Sequence, residues 1–186
     1  MKPVFKNREN TLHKIGNKDI RDSRSCAVNA VVLGLYKDDI FALVEKRSGT
    51  MEDEPGKWCV PCGYFDWDED GLESITREVY EETGLYLPNF KNNLVFGNRE
   101  EDNENDFQPF YVRTSPKVNR QNISLYYIFI YDFSNGLPSV EEYKNEEVEV
   151  VKWLEISKVY SSKYIWAFGH DEIIEKAVVK FEKYLV

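Results

Sequence analysis

The sequence predicts a single mixed α/β domain. Two long apolar runs, at residues 25–35 (SCAVNAVVLGL) and 122–133 (NISLYYIFIYDF), are rich in β-branched and aromatic residues and predict buried strands. Residues 71–83 and 171–185 instead carry apolar side chains at helical spacing. No internal repeat, linker or low-complexity segment interrupts the chain, so we expect one domain over residues 1–186.

Shorter elements fill the sequence between these segments. The three charged residues at 37–39 predict a tight turn. Further strands are predicted at 40–45, 57–61, 94–97 and 147–154. Residues 1–24 are polar and weakly patterned, and we interpret them as an N-terminal extension. The polar stretch 98–106, followed by Pro109 and Pro116, is long enough to form a binding loop or lid.

The two predicted helices have clear signals. Asp70 followed three residues later by Glu73 resembles a capping box, and Gly84 is a natural stop for the first helix. Its apolar face consists of Leu72, Ile75 and Val79. The last helix places on one face Ile174, Ala177, Val178, Phe181 and Leu185.

The composition excludes several functional classes. The net charge is −9, so no basic field attracts bulk nucleic acid, and a protein of this charge that handles phosphates needs cations of its own. The three cysteines form an odd set without a disulfide framework. The N-terminal residues lack the apolar core of a signal peptide, and no apolar run could span a membrane. We therefore expect a cytoplasmic protein.

The first helix concentrates negative charge. Glu78 and Glu82 are one helical turn apart, and Glu81 lies one step round the helix. Three carboxylates this close repel one another, and a solvated acidic face is the ordinary explanation of such a run. A divalent cation reverses that argument, because Mg²⁺ prefers hard oxygen ligands at this spacing.

The residues around this helix form a longer motif. Between residues 63 and 85 the chain has a glycine, then after five residues a glutamate, then after seven residues the sequence REVYEETGL. This pattern resembles the Nudix box of the Nudix hydrolase family at every specified position: Gly63, Glu69, Arg77, Glu78, Val79, Glu81, Glu82, Gly84 and Leu85. The resemblance implies an α/β/α sandwich with a mixed β-sheet between helices.

The same resemblance implies an activity and a ligand set. It implies a Mg²⁺-dependent enzyme, with Mn²⁺ as a substitute, that hydrolyses the phosphoanhydride bond of a nucleoside diphosphate derivative. Homodimers are frequent in the family. Glu78 and Glu82 would be the principal catalytic carboxylates and metal ligands, joined by Glu81 and by the backbone carbonyl of Cys62.

A second pair of box residues has a supporting role in this interpretation. The resemblance implies that Glu69 and Arg77 brace the loop against the helix, which agrees with the need of metal ligands for partners that hold their orientation. One position departs from the family: many members have Pro-Gly-Gly where this chain has Pro61-Cys62-Gly63. The carbonyl stays available, so we expect activity to persist, and the conformation of that loop is the open question.

The general base is left open by the sequence. Glu78 could act as a base or only as a ligand, and some relatives use a glutamate from a separate loop. The candidates in other loops are Glu101, Glu104, Glu146 and Glu147. An exposed, solvated surface position is the alternative for each of them.

Candidate substrate-binding residues lie outside the helix. Lys46 and Arg47 end the second strand and could contact phosphate, or simply be exposed there. Aromatic residues of the Pro-containing region could stack on a nucleobase or pack against the core. The full candidate set is Lys46, Arg47, Phe107, Phe110, Tyr111 and Glu147.

Several alternatives compete with these assignments. Cys59 and Cys62 form a CxxC pair that could be half of a zinc site, completed by Cys26 and by His170 or His13, although packing is the simpler role for one such pair. His170 could contact substrate, or cap and pack the last helix. The chain could also be a non-catalytic Nudix domain that senses a nucleotide ligand or mediates interactions, but such modules often lose a box glutamate. Downstream residues mark no subclass clearly, and ADP-ribose or another nucleotide sugar is the first substrate hypothesis.

Overall fold

A computed structural model of the chain describes residues 11–22, 26–97, 108–117, 120–140 and 143–185. The strands are β1 (Thr11–Ile15), β2 (Lys18–Asp22), β3 (Cys26–Tyr36), β4 (Asp39–Arg47), β5 (Trp58–Cys59), β6 (Cys62–Tyr64), β7 (Leu94–Phe96), β8 (Tyr111–Lys117), β9 (Arg120–Asp132) and β10 (Val148–Glu155). The two α-helices are α1 (Gly71–Thr83) and α2 (His170–Lys180). Short 3-10 helices lie at Leu87–Asn93, Ile156–Lys158 and Glu182–Tyr184.

A mixed sheet of eight strands forms the centre of the described structure. Its main path runs β10-β4-β3-β9-β7, while β5 pairs with β4, β6 with β3 and β8 with β9. Strands β3 and β9 are parallel over ten residue pairs, and the other pairings within this sheet are antiparallel. The two long apolar runs of the sequence are therefore the two central strands. Their burial on both faces explains why they lack alternation.

The hairpin of β3 and β4 opens along its length. Close to the turn the strands pair directly, from Leu33 with Ala42 to Tyr36 with Asp39. The turn has two residues of positive φ, Lys37 and Asp38, as a tight two-residue hairpin requires. Farther from the turn the two strands no longer pair with each other: β3 pairs with β6, and β4 pairs with β5. The segment 58–64 is thus inserted between the diverging strands, in the middle of the sheet.

Each face of the sheet is covered by one helix, which confirms the predicted α/β/α arrangement. On one face Ile75 and Val79 of α1 pack against buried side chains of the central strands, among them Val28 and Val32. On the other face Ile173, Ile174, Ala177 and Phe181 pack against a second cluster that includes Val31, Leu33 and Val44. Alternate residues of β3 therefore serve opposite cores.

Helix α1 has the ends that the sequence predicts. The Asp70 carboxylate accepts hydrogen bonds from the backbone N–H groups of Leu72 and Glu73, and the Glu73 side chain accepts from the Asp70 N–H. Gly84 ends the helix in the left-handed conformation, with a φ of 73°. Because both ends are fixed, the carboxylates between them have a defined orientation.

Three features differ from the sequence predictions. Residues 11–22 form a separate two-stranded antiparallel sheet, β1-β2, where no strand was predicted. Strand β8 was not predicted either, because Pro116 argues against a strand; it is tolerated because β8 pairs with β9 alone among the described strands. The last helix ends at Lys180 instead of near residue 185, and a 3-10 turn follows it. The predicted lid at 98–106 lies outside the described residues.

No α-helix in the described ranges is long and apolar enough to cross a membrane.

Candidate metal centre and active site on helix α1

Helix α1 buries two of its three clustered carboxylates. Glu78 is 7% exposed and Glu82 is 4% exposed, whereas the side chain of Glu81 is 35% exposed. An ordinary acidic surface helix would leave all three in water. Burial of Glu78 and Glu82 therefore argues against a solvated acidic face and requires a partner for their charge.

Arg77 forms hydrogen bonds with three carboxylates around helix α1, those of Glu69, Glu78 and Glu81. Its Nε and Nη2 donate to the two carboxylate oxygens of Glu69, at 2.7 and 3.0 Å. Its Nη1 donates to Glu78 at 2.7 Å and to Glu81 at 3.1 Å, and Nη2 also donates to the Tyr64 carbonyl at 2.9 Å. The guanidinium thus joins the loop before the helix to two helix carboxylates. The structure thus brings together Glu69 and Arg77, the pair for which the resemblance implies a bracing role.

Gly63 is required by the position of the Glu78 carboxylate. A Cβ atom built on Gly63 would lie 2.2 to 2.4 Å from the two carboxylate oxygens and the carboxyl carbon of Glu78. Any side chain there would occupy the space that the carboxylate now fills. The glycine that begins the motif therefore lets the loop backbone approach the helix closely.

Cys62 positions the other buried carboxylate. Its backbone N–H donates to Glu82 Oε2 at 2.7 Å, which is the short distance expected for an N–H bound to a carboxylate. Cys62 belongs to β6, and its φ is not among the positive values found in the described residues. A side chain at this position, where glycine is usual, therefore causes no backbone strain, which answers the question raised by the sequence.

The buried carboxyls resist ionisation in the absence of a cation. Burial raises the pKa of Glu78 to about 7, against the lowering effect of Arg77. Burial also raises the pKa of Glu82 well above its ordinary value, and repulsion from Glu45, Cys62 and Glu78 adds to it. For Glu69 burial acts in the same direction, but the bonds from Arg77 hold its pKa below the ordinary value. The positive charge of Arg77 therefore does not offset the effect of burial on Glu78, and Glu82 keeps a raised pKa as well.

A loop that the sequence did not connect with the helix docks on its C-terminal end. The Tyr143 hydroxyl and the Asn145 side-chain amide both donate to the Glu81 carbonyl, at 2.8 and 2.7 Å. Asn145 Oδ1 in turn accepts from the backbone N–H groups of Glu147 and Val148. Glu147 is exposed, and its charge adds to the effects that raise the pKa of Glu78, after burial and Glu81. Only the spacing of tyrosine and asparagine before β10 could have suggested this contact.

The fold and this arrangement can now be compared with known proteins. The family model described as NUDIX domain matches residues 27–177, which is most of the chain. The chain belongs to the NUDIX domain family. A curated relative, m7GpppN-mRNA hydrolase NUDT17 of Bos taurus, is 36% identical over 58 residues, or 31% of this chain and 19% of that protein. The match thus spans about a fifth of the length of that relative.

Solved structures of Nudix proteins share the fold. A C. elegans Ap4A hydrolase in a binary complex has a TM-score of 0.59 at 16% identity, covering 86% of this chain and 98% of that one. The NUDIX domain of Shewanella oneidensis NrtR, crystallised with ADP ribose, has a TM-score of 0.55 at 18% identity, covering 85% and 88%. These likenesses confirm the Nudix fold predicted from the sequence.

The two basic residues that were predicted to contact substrate, Lys46 and Arg47, both have partners within the protein. Lys46 forms an ion pair with Glu149, with 2.9 Å between Nζ and Oε2. Arg47 is buried, donates from Nε to the Asp53 carbonyl at 3.0 Å, and lies over the Phe168 ring. Both side chains are thus engaged by the protein, and their roles towards phosphate stay predictions.

The predicted aromatic contacts lie on the α2 side of the sheet. Phe110 and Tyr111 pack against the core cluster beneath α2, and Phe110 meets Phe181 edge-on with 5.8 Å between ring centroids. Phe110 also lines a cavity of about 230 Å³. Helix α1 packs on the opposite face, so the structure does not bring these rings together with the carboxylates. Phe107, Glu101 and Glu104 lie outside the described residues.

The sequence missed a further buried carboxyl. Glu45 of β4 is 1% exposed; its Oε1 accepts from Cys59 Sγ at 3.3 Å, and its Oε2 has no hydrogen-bond partner among the residues that the structure describes. Burial raises its pKa well above the ordinary value, and Cys62 is the next cause. A glutamate inside an apolar strand, IFALVE, was the available signal.

We expect Gly63→Ala to abolish divalent cation binding and to lower the free energy of unfolding by about 1–3 kcal/mol. The added methyl group displaces the end of the Glu78 side chain, so the helix stays folded while the carboxylate moves. Mn²⁺ titration followed by electron paramagnetic resonance, together with thermal unfolding, measures both effects. Gly49→Ala is the matched control, because a Cβ there meets nothing within 4 Å. Equal Mn²⁺ affinity in the two variants would contradict this account of Gly63.

We expect Mg²⁺ to stabilise the chain strongly at about pH 8 and weakly at about pH 5. The pKa of Glu78 is raised in the folded protein to about 7, so the stability contributed by its protonated form is present below its ordinary value of 4.5 and is lost as pH rises through 7. Mg²⁺ offsets this loss, because it binds the ionised form.

Thermal unfolding with Mg²⁺ or with EDTA at each pH measures the effect. The difference between the two conditions cancels His170, whose lowered pKa of about 3 reduces stability as pH falls below 6.5. An equal Mg²⁺ effect at both pH values would show that ionised carboxyls of this site are not involved.

Proposed function

We propose that this chain is a divalent-cation-dependent hydrolase that cleaves the phosphoanhydride bond of a nucleoside diphosphate derivative. The observation that carries the proposal is the pair of buried carboxylates, Glu78 and Glu82, with the partly exposed Glu81 beside them. Burying two carboxylates without a cation lowers the stability of the folded chain. Carboxylates that bind a metal ion are expected to be held in this way.

The donor set fits a hard divalent ion. Glu78 and Glu82 would be its principal ligands, with Glu81 and the backbone carbonyl of Cys62 completing the protein's share. The space beside Gly63 that the Glu78 carboxylate occupies, and the buried position of Glu82, support this assignment. When bound, Mg²⁺ or Mn²⁺ would neutralise phosphate charge and lower the pKa of a coordinated water.

The side chains of the site have distinct tasks in this proposal. Arg77 keeps Glu78 and Glu81 in place through its bonds with both. The Cys62 N–H fixes one oxygen of Glu82 and leaves the other available. A proton acceptor is needed for the attacking water, and Glu78 is a candidate for it if it does not act purely as a metal ligand. Glu147, which is exposed, is the alternative acceptor.

The first substrates to test are ADP-ribose and other nucleotide sugars. The NrtR NUDIX domain was crystallised with ADP ribose, and the C. elegans neighbour is an Ap4A hydrolase. Dinucleoside polyphosphates therefore form the second arm of the panel. Acidic substrates of both kinds need the cation, because the chain carries a net charge of −9.

A non-catalytic ligand sensor is the competing function. NrtR of Shewanella oneidensis was also crystallised with a 27mer DNA, so a neighbour of this fold binds DNA. The complete set of box glutamates and their burial favour hydrolysis here.

The free cysteines Cys26, Cys59 and Cys62 suit a reducing compartment, and we propose a cytoplasmic location.

We expect Glu82→Gln to lower turnover by orders of magnitude and to leave the fold intact. The substitution keeps the size of the side chain and removes a charge that the cation needs. Release of products from the substrate panel, identified by mass spectrometry with and without Mg²⁺, measures the effect. Glu175→Gln, at an exposed position of α2, is the control. Unchanged turnover in Glu82→Gln would refute the metal assignment, and wild-type binding of a nucleotide without any product would favour the sensor.

A further inference from the structure

A second group of side chains with metal-ligand chemistry lies near helix α1, and its donors are sulfur and nitrogen instead of oxygen. Cys59, Cys62 and His170 each offer one ligand atom, and these atoms all lie within 4.8 Å of one another. Cys59 ends β5, Cys62 begins β6, and His170 begins α2. The inserted segment 58–64 and the distant start of α2 are thus brought together at one point of the fold.

This group is buried and incompletely satisfied. Cys59 and His170 are both 0% exposed, and Cys62 is half-buried. Two buried side-chain polar atoms in the described part of the chain have no hydrogen-bond partner, Glu45 Oε2 and His170 Nε2. His170 is a member of the group, and Glu45 accepts a hydrogen bond from Cys59. The unsatisfied Glu45 Oε2 is therefore an acceptor beside the two thiols, whereas the unsatisfied His170 Nε2 belongs to a ring whose Nδ1 already accepts from Val60.

We propose that Cys59, Cys62 and His170 form a binding site for a thiophilic metal ion, Zn²⁺. Two thiolates and an imidazole are the donors that Zn²⁺ prefers, and Mg²⁺ avoids them. Zn²⁺ holds sulfur at about 2.3 Å and imidazole nitrogen at about 2.0 Å, so donors on one ion lie no more than about 4.6 Å apart. The three donors are thus close to binding distance before any side chain moves.

The charge of the site agrees with a divalent ion. Binding removes one proton from each thiol, and the two thiolates then balance the two charges of Zn²⁺ in a buried place. Tetrahedral Zn²⁺ takes a fourth ligand, and Glu45, whose Oε1 lies 3.3 Å from Cys59 Sγ, is the candidate within this cluster. It keeps the charge balanced when it binds through an oxygen of its protonated carboxyl. The released protons make the affinity fall as pH falls.

His170 adds a specific consequence. The backbone N–H of Val60 donates to His170 Nδ1 at 3.1 Å, so the single lone pair of the neutral ring is on Nδ1 and its proton is on Nε2. Coordination uses that lone pair, either on Nδ1 directly or on Nε2 after the proton has moved to Nδ1. In both cases the Val60 N–H loses its acceptor. Metal loading should therefore change the amide environment of Val60.

The two metal centres share Cys62 but are chemically separable. Its backbone carbonyl is the predicted ligand of the hard-cation site, whereas its sulfur belongs to the thiol site. The Zn²⁺ proposal does not depend on hydrolysis, and either one can fail without the other.

The test is metal binding by the full reduced chain under anaerobic conditions, with Zn²⁺ and with Co²⁺ as a spectroscopic substitute. We expect one equivalent of Zn²⁺ and a Co²⁺ spectrum with thiolate-to-metal charge-transfer bands. Cys59→Ser and Cys62→Ser should each lower Zn²⁺ affinity on the order of 100-fold or more, since even residues that only orient ligands alter it by about 10–100-fold. Cys26→Ser is the matched control, since Cys26 is free, half-buried and outside the cluster.

A second readout needs no variant. Nuclear magnetic resonance of the wild-type chain should show the Val60 amide signal shifting on Zn²⁺ addition. The shift of the same signal on Mg²⁺ addition should be smaller or absent. Absence of charge-transfer bands, Zn²⁺ affinity that Cys59→Ser and Cys62→Ser leave unchanged, or a Val60 amide that does not respond to saturating Zn²⁺ would each overturn the proposal. Zn²⁺ binding that Glu82→Gln removes and Cys59→Ser preserves would assign the ion to the acidic helix instead.

Discussion

Removal of the Glu78 and Glu82 carboxyls from water is the constraint on which the site of this Nudix chain depends. Glu78 and Glu82 lie one turn apart on α1 and are both removed from water, while Arg77 neutralises only part of their charge. Burial of like charges without compensation costs several kcal/mol, on the order of the stability of a whole domain. The helix caps, the Arg77–Glu69 bridge and the Cys62 N–H all hold these groups where they would otherwise move apart. A bound cation would compensate the charge of these two carboxylates and so offset the cost of burying them.

The sheet makes this arrangement possible by opening between β3 and β4. Because the two strands diverge, segment 58–64 enters the sheet and brings the Cys62–Gly63 backbone against α1. The same insertion places Cys59 next to Glu45 and lets Val60 bond His170 at the start of α2. One irregularity of the sheet therefore creates both the acidic site and the thiol cluster. A continuous β3-β4 hairpin would leave no place for either.

Local signals made most of this fold predictable. Helix α1 matched its predicted bounds because its caps are encoded by Asp70, Glu73 and Gly84, all within the segment itself. The central strands β3 and β9 were predicted because strands buried on both faces are apolar throughout. Strand β8 was missed because tolerance of Pro116 depends on its position at a sheet edge, which is a tertiary property. The docking of Tyr143 and Asn145 on Glu81, and the approach of His170 to Cys59 and Cys62, join residues more than sixty and more than a hundred positions apart, respectively. Periodicity carries no information on such contacts.

The most direct measurement is an anomalous difference map from crystals grown with Mn²⁺ and a non-hydrolysable ADP-ribose analogue. The account predicts a Mn²⁺ peak ligated by Glu78 and Glu82, next to the Cys62 carbonyl and in contact with a phosphate oxygen of the analogue. A well-ordered analogue whose diphosphate lies away from α1, or a Mn²⁺ peak that neither carboxylate touches, would contradict it.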